Sequence, residues 1–179
     1  MRLSSSLASL HLAGTRLTGL VSAYPAHTES QVEAREPEFG ALDSRGLTLK
    51  IGKEPGGDAK CPKTTNPGFE PQPEHKYTMN QIKQAFLQAA KLAADSKQIG
   101  DNKYPHDFGN GEKLPFKCGK NQMEFIILPN GKVYDGSGNT RDMPDRVVFE
   151  YSKSKKEFKA NYCGVMRHGP TRDFLHCKD

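Results

Sequence analysis

Glu124, Arg146 and His168 are three residues of this chain whose types, taken together, could do chemistry. Glu124 stands in the run MEFIIL, where strand alternation puts its carboxylate on the side of Ile126 and Leu128. Arg146 shares a side with Val148, and His168 has the parity of Gly164 and Met166. If the three runs are strands of one sheet, a carboxylate, a guanidinium and an imidazole reach a common surface. That set suits acid and base work on a phosphate, in which one group takes a proton, another gives one, and the cation holds the phosphoryl oxygens. The competing explanation is that these are charged edge residues that keep a sheet soluble, and parity alone leaves both open.

The elements that must position these residues follow from local pattern. Thr78 with Gln81 fits a capping box, so a helix starts there. Met79, Ile82, Phe86, Ala89, Ala90 and Ala93 recur at helical spacing, which predicts an amphipathic helix over 78–95 with its apolar stripe in the core. After Gly100 the pattern changes to short strands: 123–128, turned back by Pro129-Asn130-Gly131 into 132–135 as a hairpin, then 146–151, 156–166 and 173–177. One helix followed by closely spaced strands predicts an α+β fold, an amphipathic helix packed on a short antiparallel β-sheet.

The 179 residues allow one ordinary domain with a tail, or two very small ones, and exclude a large multidomain machine. Hydrophobic residues make up 35%, mean hydropathy is −0.73, and 17 Gly with 12 Pro punctuate the chain, so part of it is expected not to fold. Residues 1–60 hold 7 basic and 7 acidic side chains and residues 61–179 hold 19 and 14, so the whole net charge of +5 lies in the second part. A polyanionic partner fits that balance. Cys61, Cys118, Cys163 and Cys177 also lie there, and their spacing, with no CxxC pair, favours two disulfides over a zinc site and hence an oxidising compartment.

Residues 1–23 have a short positive start, an apolar stretch interrupted by His11 and Arg16, and small residues before a cleavage position near Ala23, the order of a secretory signal. A disordered leader is the alternative. Residues 24–60 turn to Glu, Ser, Gly and Pro without sustained period and are expected to be a disordered propeptide or linker. Within them Leu47, Leu49 and Ile51 alternate, as an edge strand or as an incidental patch. The folded domain is expected over 61–179, and no segment approaches the length of a membrane-spanning helix.

From Lys103 the chain carries NKYPHDFGNGE, MEFIIL, PDRVVF, MRHG and DFLHC in that order. This succession, with the preceding YTMNQI helix, resembles the fungal guanyl-specific ribonucleases of the T1 and U2 type, over roughly Tyr77 to Cys177. The resemblance implies that Glu124 takes the proton of the ribose 2'-hydroxyl and that His168 protonates the departing 5'-oxygen. It gives His106 the part of a second catalytic histidine that assists the base and holds the phosphate. It makes Arg146 the stabiliser of phosphoryl charge, Tyr104 a donor to a phosphoryl oxygen, and Phe174 the aromatic wall near the leaving group. The implied reaction is transfer of the phosphodiester to the 2'-oxygen, giving a 2',3'-cyclic phosphate that is later hydrolysed to a 3'-phosphate. No metal and no cofactor are needed, and DNA, which lacks the 2'-hydroxyl, is expected to be inert.

The same resemblance places guanine recognition on Phe108, Gly109, Asn110, Gly111 and Glu112, with Glu112 accepting from the guanine N1-H and amino group and amides near Asn110 meeting O6. Two positions depart from the family. Gly111 stands where a tyrosine often covers the base, leaving Phe108 as the stacking face, and Arg172 stands where a guanine-contacting Asn is expected. The disulfides implied are Cys118 with Cys163 and Cys61 with Cys177. Glu124 follows His106 by 18 positions, too few for the long basic loop of a ribotoxin, so a general ribonuclease is favoured. The segment SKSKKEFK, 152–159, lengthens the hairpin between Arg146 and His168, either as a solvated turn or as a basic finger for an anionic surface.

The expected partner is single-stranded, guanine-containing RNA, bound by a secreted monomer; a protein inhibitor, a host target and a cytotoxic fungal effector role stay open. Two other readings compete: a catalytically silent RNA-binding effector on the same fold, and a disulfide-stabilised structural module. The first should lack the base or the acid, yet all five catalytic positions are filled; the second leaves the ionisable face unexplained.

Overall fold

The computed structural model describes residues 46–65, 70–170 and 173–178. The expected signal at 1–23, the first part of the expected linker and Arg172 lie outside the described residues. In chain order the elements are β1 (Thr48–Lys53), β2 (Ala59–Cys61), β3 (His75–Tyr77), α1 (Met79–Ala94), β4 (His106–Phe108), β5 (Gln122–Ile126), a 3-10 turn (Thr140–Asp142), β6 (Asp145–Lys153), β7 (Glu157–His168) and β8 (Phe174–His176). The main sheet runs β1-β7-β6-β5-β4, with β8 on the same edge of β7 as β1; β2 and β3 form a separate pair. The α+β expectation describes this molecule, one helix laid on a largely antiparallel sheet.

Helix α1 starts where the capping box places it: Gln81 N donates to Thr78 Oγ1 at 3.3 Å and Thr78 N to Gln81 Oε1 at 2.8 Å. Its buried stripe of Ile82, Ala85, Phe86, Ala89 and Ala90 meets Phe125, Val147, Phe149, Tyr162 and Val165 of the central strands. The small alanines bring the helix close to the sheet, and Phe86 packs edge-on against Phe149 and Tyr162. Met79, expected in that stripe, is 41% exposed in the first turn, where its N–H is taken by Asp58.

Three expectations are corrected. First, 46–60 is not linker: β1 pairs in parallel with β7, and Leu49 and Ile51 pack against the helix-side core. The three-residue alternation was too short to identify because its partner strand lies about a hundred residues on. The sheet is therefore mixed rather than wholly antiparallel. Second, the turn after Leu128 exists, with Gly131 N donating to Leu128 O, but 132–135 forms only one bridge, Ile127 with Val133, instead of a strand. Third, His106–Phe108, outside the strands expected after Gly100, is β4, paired with β5.

Both disulfides implied by the resemblance are present. Cys61–Cys177 joins the small sheet to the end of β8, where Lys60 and Lys178 also exchange backbone hydrogen bonds. Cys118–Cys163 ties the segment before β5 to β7. Cys163 is the extra residue of a bulge: Val148 faces Gly164 and Phe149 faces Tyr162, so Cys163 has no partner on β6.

Beneath the sheet, next to the functional side chains, lies a buried ion pair. Arg167 Nε meets Asp145 Oδ1 at 2.6 Å and Nη2 meets Oδ2 at 2.7 Å, with both residues at most 2% exposed. Arg167 Nη1 donates to the carbonyls of Pro62 and Pro73, and Tyr77 OH donates to Asp145 Oδ2 at 2.6 Å. Burial, with the Asp145 carboxylate beside it, pushes the Tyr77 phenol far above its ordinary pKa, so it stays a neutral donor. Asp145→Ala leaves the Arg167 charge buried and unpaired; urea denaturation with both disulfides intact is expected to show a loss of about 3–5 kcal/mol. The double change Asp145→Leu with Arg167→Met should recover most of it, because neither charge is then stranded.

Candidate active site

Register across β4 to β7 brings the chemistry to one face. His106 faces Glu124, Glu124 faces Val148, and Val148 faces Gly164, forming one row; Ile126, Arg146 and Met166 form the next; His168 follows on β7, facing Phe174 of β8. Directly opposed residues share a face, and so do residues two apart. Glu124 and His168 thus stand one row to each side of Arg146. The intervening residues Phe125, Val147, Val165 and Arg167 point to the helix side.

The floor of this face is a small apolar cluster of Phe108, Val148, Cys163 and Met166, with Leu114, Phe116, Cys118 and Phe174 packed against it. Gly164 is needed there, because a Cβ would stand 2.6 Å from Phe116 Cε1. Phe116 in turn meets Phe108 and His176 edge-on.

Glu124 is 6% exposed. Its Oε1 lies 2.8 Å from His106 Nε2 and 3.8 Å from Arg146 Nε, while Oε2 is buried with no hydrogen-bond partner among the described residues. His106 Nδ1 is 3.0 Å from the Asn102 carbonyl. A carboxylate and a carbonyl are both acceptors, so the arrangement favours the doubly protonated ring, in which both nitrogens donate. The hydrogen bond to Glu124 accordingly raises the His106 pKa above its ordinary value, against the opposing effect of burial.

Arg146 is 2% exposed and fixed on four sides. Its Nε donates to Tyr104 OH at 3.0 Å, its Nη1 donates to the carbonyls of Met143 and Asp145, and its guanidinium lies 5.1 Å from the Tyr104 ring centroid. Tyr104 stacks on His106 with centroids 4.4 Å apart, and burial raises its phenol pKa, keeping it protonated. Tyr104, His106, Glu124 and Arg146 therefore form one contiguous set. His168 is half-buried, its ring 4.0 Å from that of Phe174 and its backbone N–H bonded to Pro144 O.

The expected base-binding residues occupy the loop leaving β4. Asn110 has φ 45°, and its side chain bonds Leu114 N and O, closing a turn that leaves Gly109 and Gly111 open to solvent. Glu112 is exposed, with Oε1 3.4 Å from Phe174 N, so the loop reaches β8. Phe108, expected as a stacking face, is 7% exposed and packs edge-on against Phe116 and Phe174, because strand pairing turns it into the apolar floor. Sequence reasoning missed Asn102 and Phe116, for which no local signal existed. It also missed the Asp145–Arg167 pair, which did carry a signal: both share the parity of core valines, where a charge must find a partner.

A family model described as ribonuclease matches residues 68–178. The guanyl-specific ribonuclease T1 of Aspergillus oryzae is 33% identical over 103 residues, which span 56% of this chain and 72% of that protein. Guanyl-specific ribonuclease Ap1 of Aspergillus pallidus is 31% identical over 75 residues, 42% of this chain and 69% of the relative. Guanyl-specific ribonuclease N1 of Neurospora crassa is 32% identical over 74 residues, 41% of this chain and 46% of the relative. The matched stretch holds Tyr104 and the strands β4 to β8 that supply His106, Glu124, Arg146, His168 and Phe174, and the chain belongs to the fungal guanyl-specific ribonuclease family of the T1 type.

Proposed function

We propose that this protein is a secreted endoribonuclease that cleaves single-stranded RNA on the 3' side of guanosine, through a 2',3'-cyclic phosphate. The observation that carries the reading is the contiguous set of Tyr104, His106, Glu124 and Arg146, with His168 one row beyond Arg146 on the same face. A ribose 2'-hydroxyl brought to this face donates to the Glu124 carboxylate. Glu124 takes that proton, the 2'-oxygen forms a bond to phosphorus, the bond from phosphorus to the 5'-oxygen breaks, and His168 protonates the leaving oxygen. Arg146 between them, with Tyr104, meets the charge that grows on the phosphoryl oxygens; both are fixed before substrate arrives, so little reorganisation is needed. Hydrolysis of the cyclic phosphate reverses the two proton roles.

Glu112 and the amides of the loop at Asn110 are the proposed guanine reader, with the open positions at Gly109 and Gly111 letting a base approach the backbone. Phe174 walls the leaving-group side beside His168. Both disulfides support an oxidising, extracellular setting. Among the described residues no helix is long and apolar enough to cross a membrane.

The test uses the full chain, because β1 belongs to the sheet. Incubated in EDTA with GpC, ApC and UpC, it is expected to give guanosine 2',3'-cyclic phosphate from GpC far faster than product from the others, read by mass. Absence of product from a folded sample that still binds RNA would favour the silent effector. Glu124→Gln should lower kcat by about a hundredfold or more while leaving RNA affinity nearly intact. His168→Ala should be most damaging for poor leaving groups. Glu112→Ala should relax discrimination between GpC and ApC by about 1–3 kcal/mol, the worth of one two-point base contact.

The His106–Glu124 pair also sets a pH dependence. Folding raises the His106 pKa, so the pair's contribution is complete below the unfolded value of about 6.5 and is lost as pH rises through the folded midpoint. Activity on GpC should fall on that alkaline limb. In a proton NMR titration the His106 midpoint should lie above about 6.5 and move down in Glu124→Gln; an unmoved midpoint would remove the pair from this role.

A further inference from the structure

The reaction site does not use the far end of the same sheet face. Leu49 and Ile51 of β1 and Phe158 and Ala160 of β7 belong to the helix-side core, so Lys50 and Lys159 point to the opposite face, the one that carries Glu124. The register sets Lys50 directly against Lys159, with Ser152 on the other side of Lys159. Gly52 makes room for the Asn161 and Lys159 side chains, since a Cβ there would stand 2.1 Å from Asn161 Oδ1 and 2.9 Å from Lys159 Cε. Like charges directly opposed weaken a strand pair. The adjoining hairpin adds Lys153, Lys155 and Lys156, all exposed, on a turn fixed by Ser154 through bonds to the backbone of Lys156 and Glu157. None of these five lysines has an ion-pair partner among the described residues, whereas Lys60, Lys76 and Lys83 each have one.

Resting on the ribonuclease reading above, we propose that Lys50, Lys159 and the Lys153–Lys156 turn form a phosphate-binding stripe that holds RNA on the 5' side of the cleaved guanosine. The direction follows from β7 itself. His168, which serves the departing 5'-oxygen, ends the strand, and Lys159 lies nine positions earlier, at the opposite end of the face. Along β6, Val148 beside Glu124 and Ser152 beside Lys159 are four residues apart, about 13 Å at ~3.3 Å per residue, more than one nucleotide from the scissile phosphate. Exposed Lys117 and Lys120 flank the segment between, which is tied down by the Cys118–Cys163 bond and by Gly119 N donating to Glu150. A nucleic acid fits better than a membrane, because the exposed large apolar side chains of the described residues, Met79 and Val133, are not on this hairpin.

The test compares the full chain with a quadruple variant, Lys50→Ala, Lys155→Ala, Lys156→Ala and Lys159→Ala. The substrates are GpC and a ten-nucleotide RNA with a single guanosine near its 3' end; affinity is read by fluorescence anisotropy on the same decamer carrying 2'-deoxyguanosine, which resists cleavage. The variant is expected to bind the decamer at least tenfold more weakly at 50 mM salt. The slope of log affinity against log salt should become shallower by about 2 to 3, at ~0.7 for each lost phosphate contact. Its kcat/KM should fall for the decamer and stay within twofold for GpC. The charge reversal Lys155→Glu with Lys156→Glu, confined to the turn, should act in the same direction. Unchanged decamer affinity and slope would overturn the stripe, as would an equal loss on GpC. An equal effect on a decamer whose guanosine is near the 5' end would overturn its direction. Lost binding to phosphatidylserine vesicles with decamer affinity intact would overturn it in favour of a membrane surface. A wild-type chain that leaves GpC uncleaved would refute the ribonuclease reading alone, since the uncleavable decamer still decides the stripe.

Discussion

The paired charges of Asp145 and Arg167 are the constraint on which the site depends. They lie directly opposite each other on β6 and β7, and each immediately precedes a residue of the candidate site, Arg146 and His168. In a pleated strand neighbours point to opposite faces, so locking Asp145 to Arg167 beneath the sheet sends Arg146 and His168 above it. A slip of one residue would put the ion pair into solvent and Arg146 and His168 into the apolar core. A buried ion pair contributes little net stability against a hydrophobic replacement of the same volume. Its contribution here is register, enforced because any other pairing strands a charge.

Register alone does not build the floor of the site. The bulge at Cys163 changes which face β7 offers, so that Tyr162 packs on the helix while Gly164, two residues later, opens upward beneath Phe116. The Cys118–Cys163 bond fixes the segment before β5 at that point, and Asn110 closes the loop further out. The apolar side chains of the cluster keep water away from Glu124, which strengthens its interactions with His106 and Arg146. Backbone irregularity and the electrostatics of the candidate site are therefore one arrangement.

How far the sequence discloses this follows from the range of each interaction. Helix α1 is written in a capping box and an apolar stripe, both local, and it is legible. The common face of Glu124, Arg146 and His168 is legible from parity once the runs are taken as strands. The helical hydrogen bonds of α1 need only neighbours, whereas β1 needs β7, and three alternating residues cannot announce a partner so distant. The contact of His106 with Glu124 depends on β4, a three-residue strand with no pattern of its own; only its resemblance to a family motif marks it. Phe108 shows the converse, a residue expected as an open stacking face whose burial depends on a pairing that the sequence does not display.

The distribution of cations follows the same physical logic. Arg146 and Arg167 are buried and each holds several fixed acceptors, the geometry that a planar, permanently charged fork satisfies. On the hairpin and β1 the cations are lysines, exposed and without ion-pair partners among the described residues. A mobile ammonium on a flexible stem suits a phosphate backbone whose position varies with sequence, and it imposes no register on the RNA. On the proposed reading two tasks are separated: rigid guanidinium where a single phosphorus must be met in one geometry, and flexible ammonium where any neighbouring phosphate will do. The proposed enzyme is then exacting about the bond it breaks and tolerant of the strand that carries it.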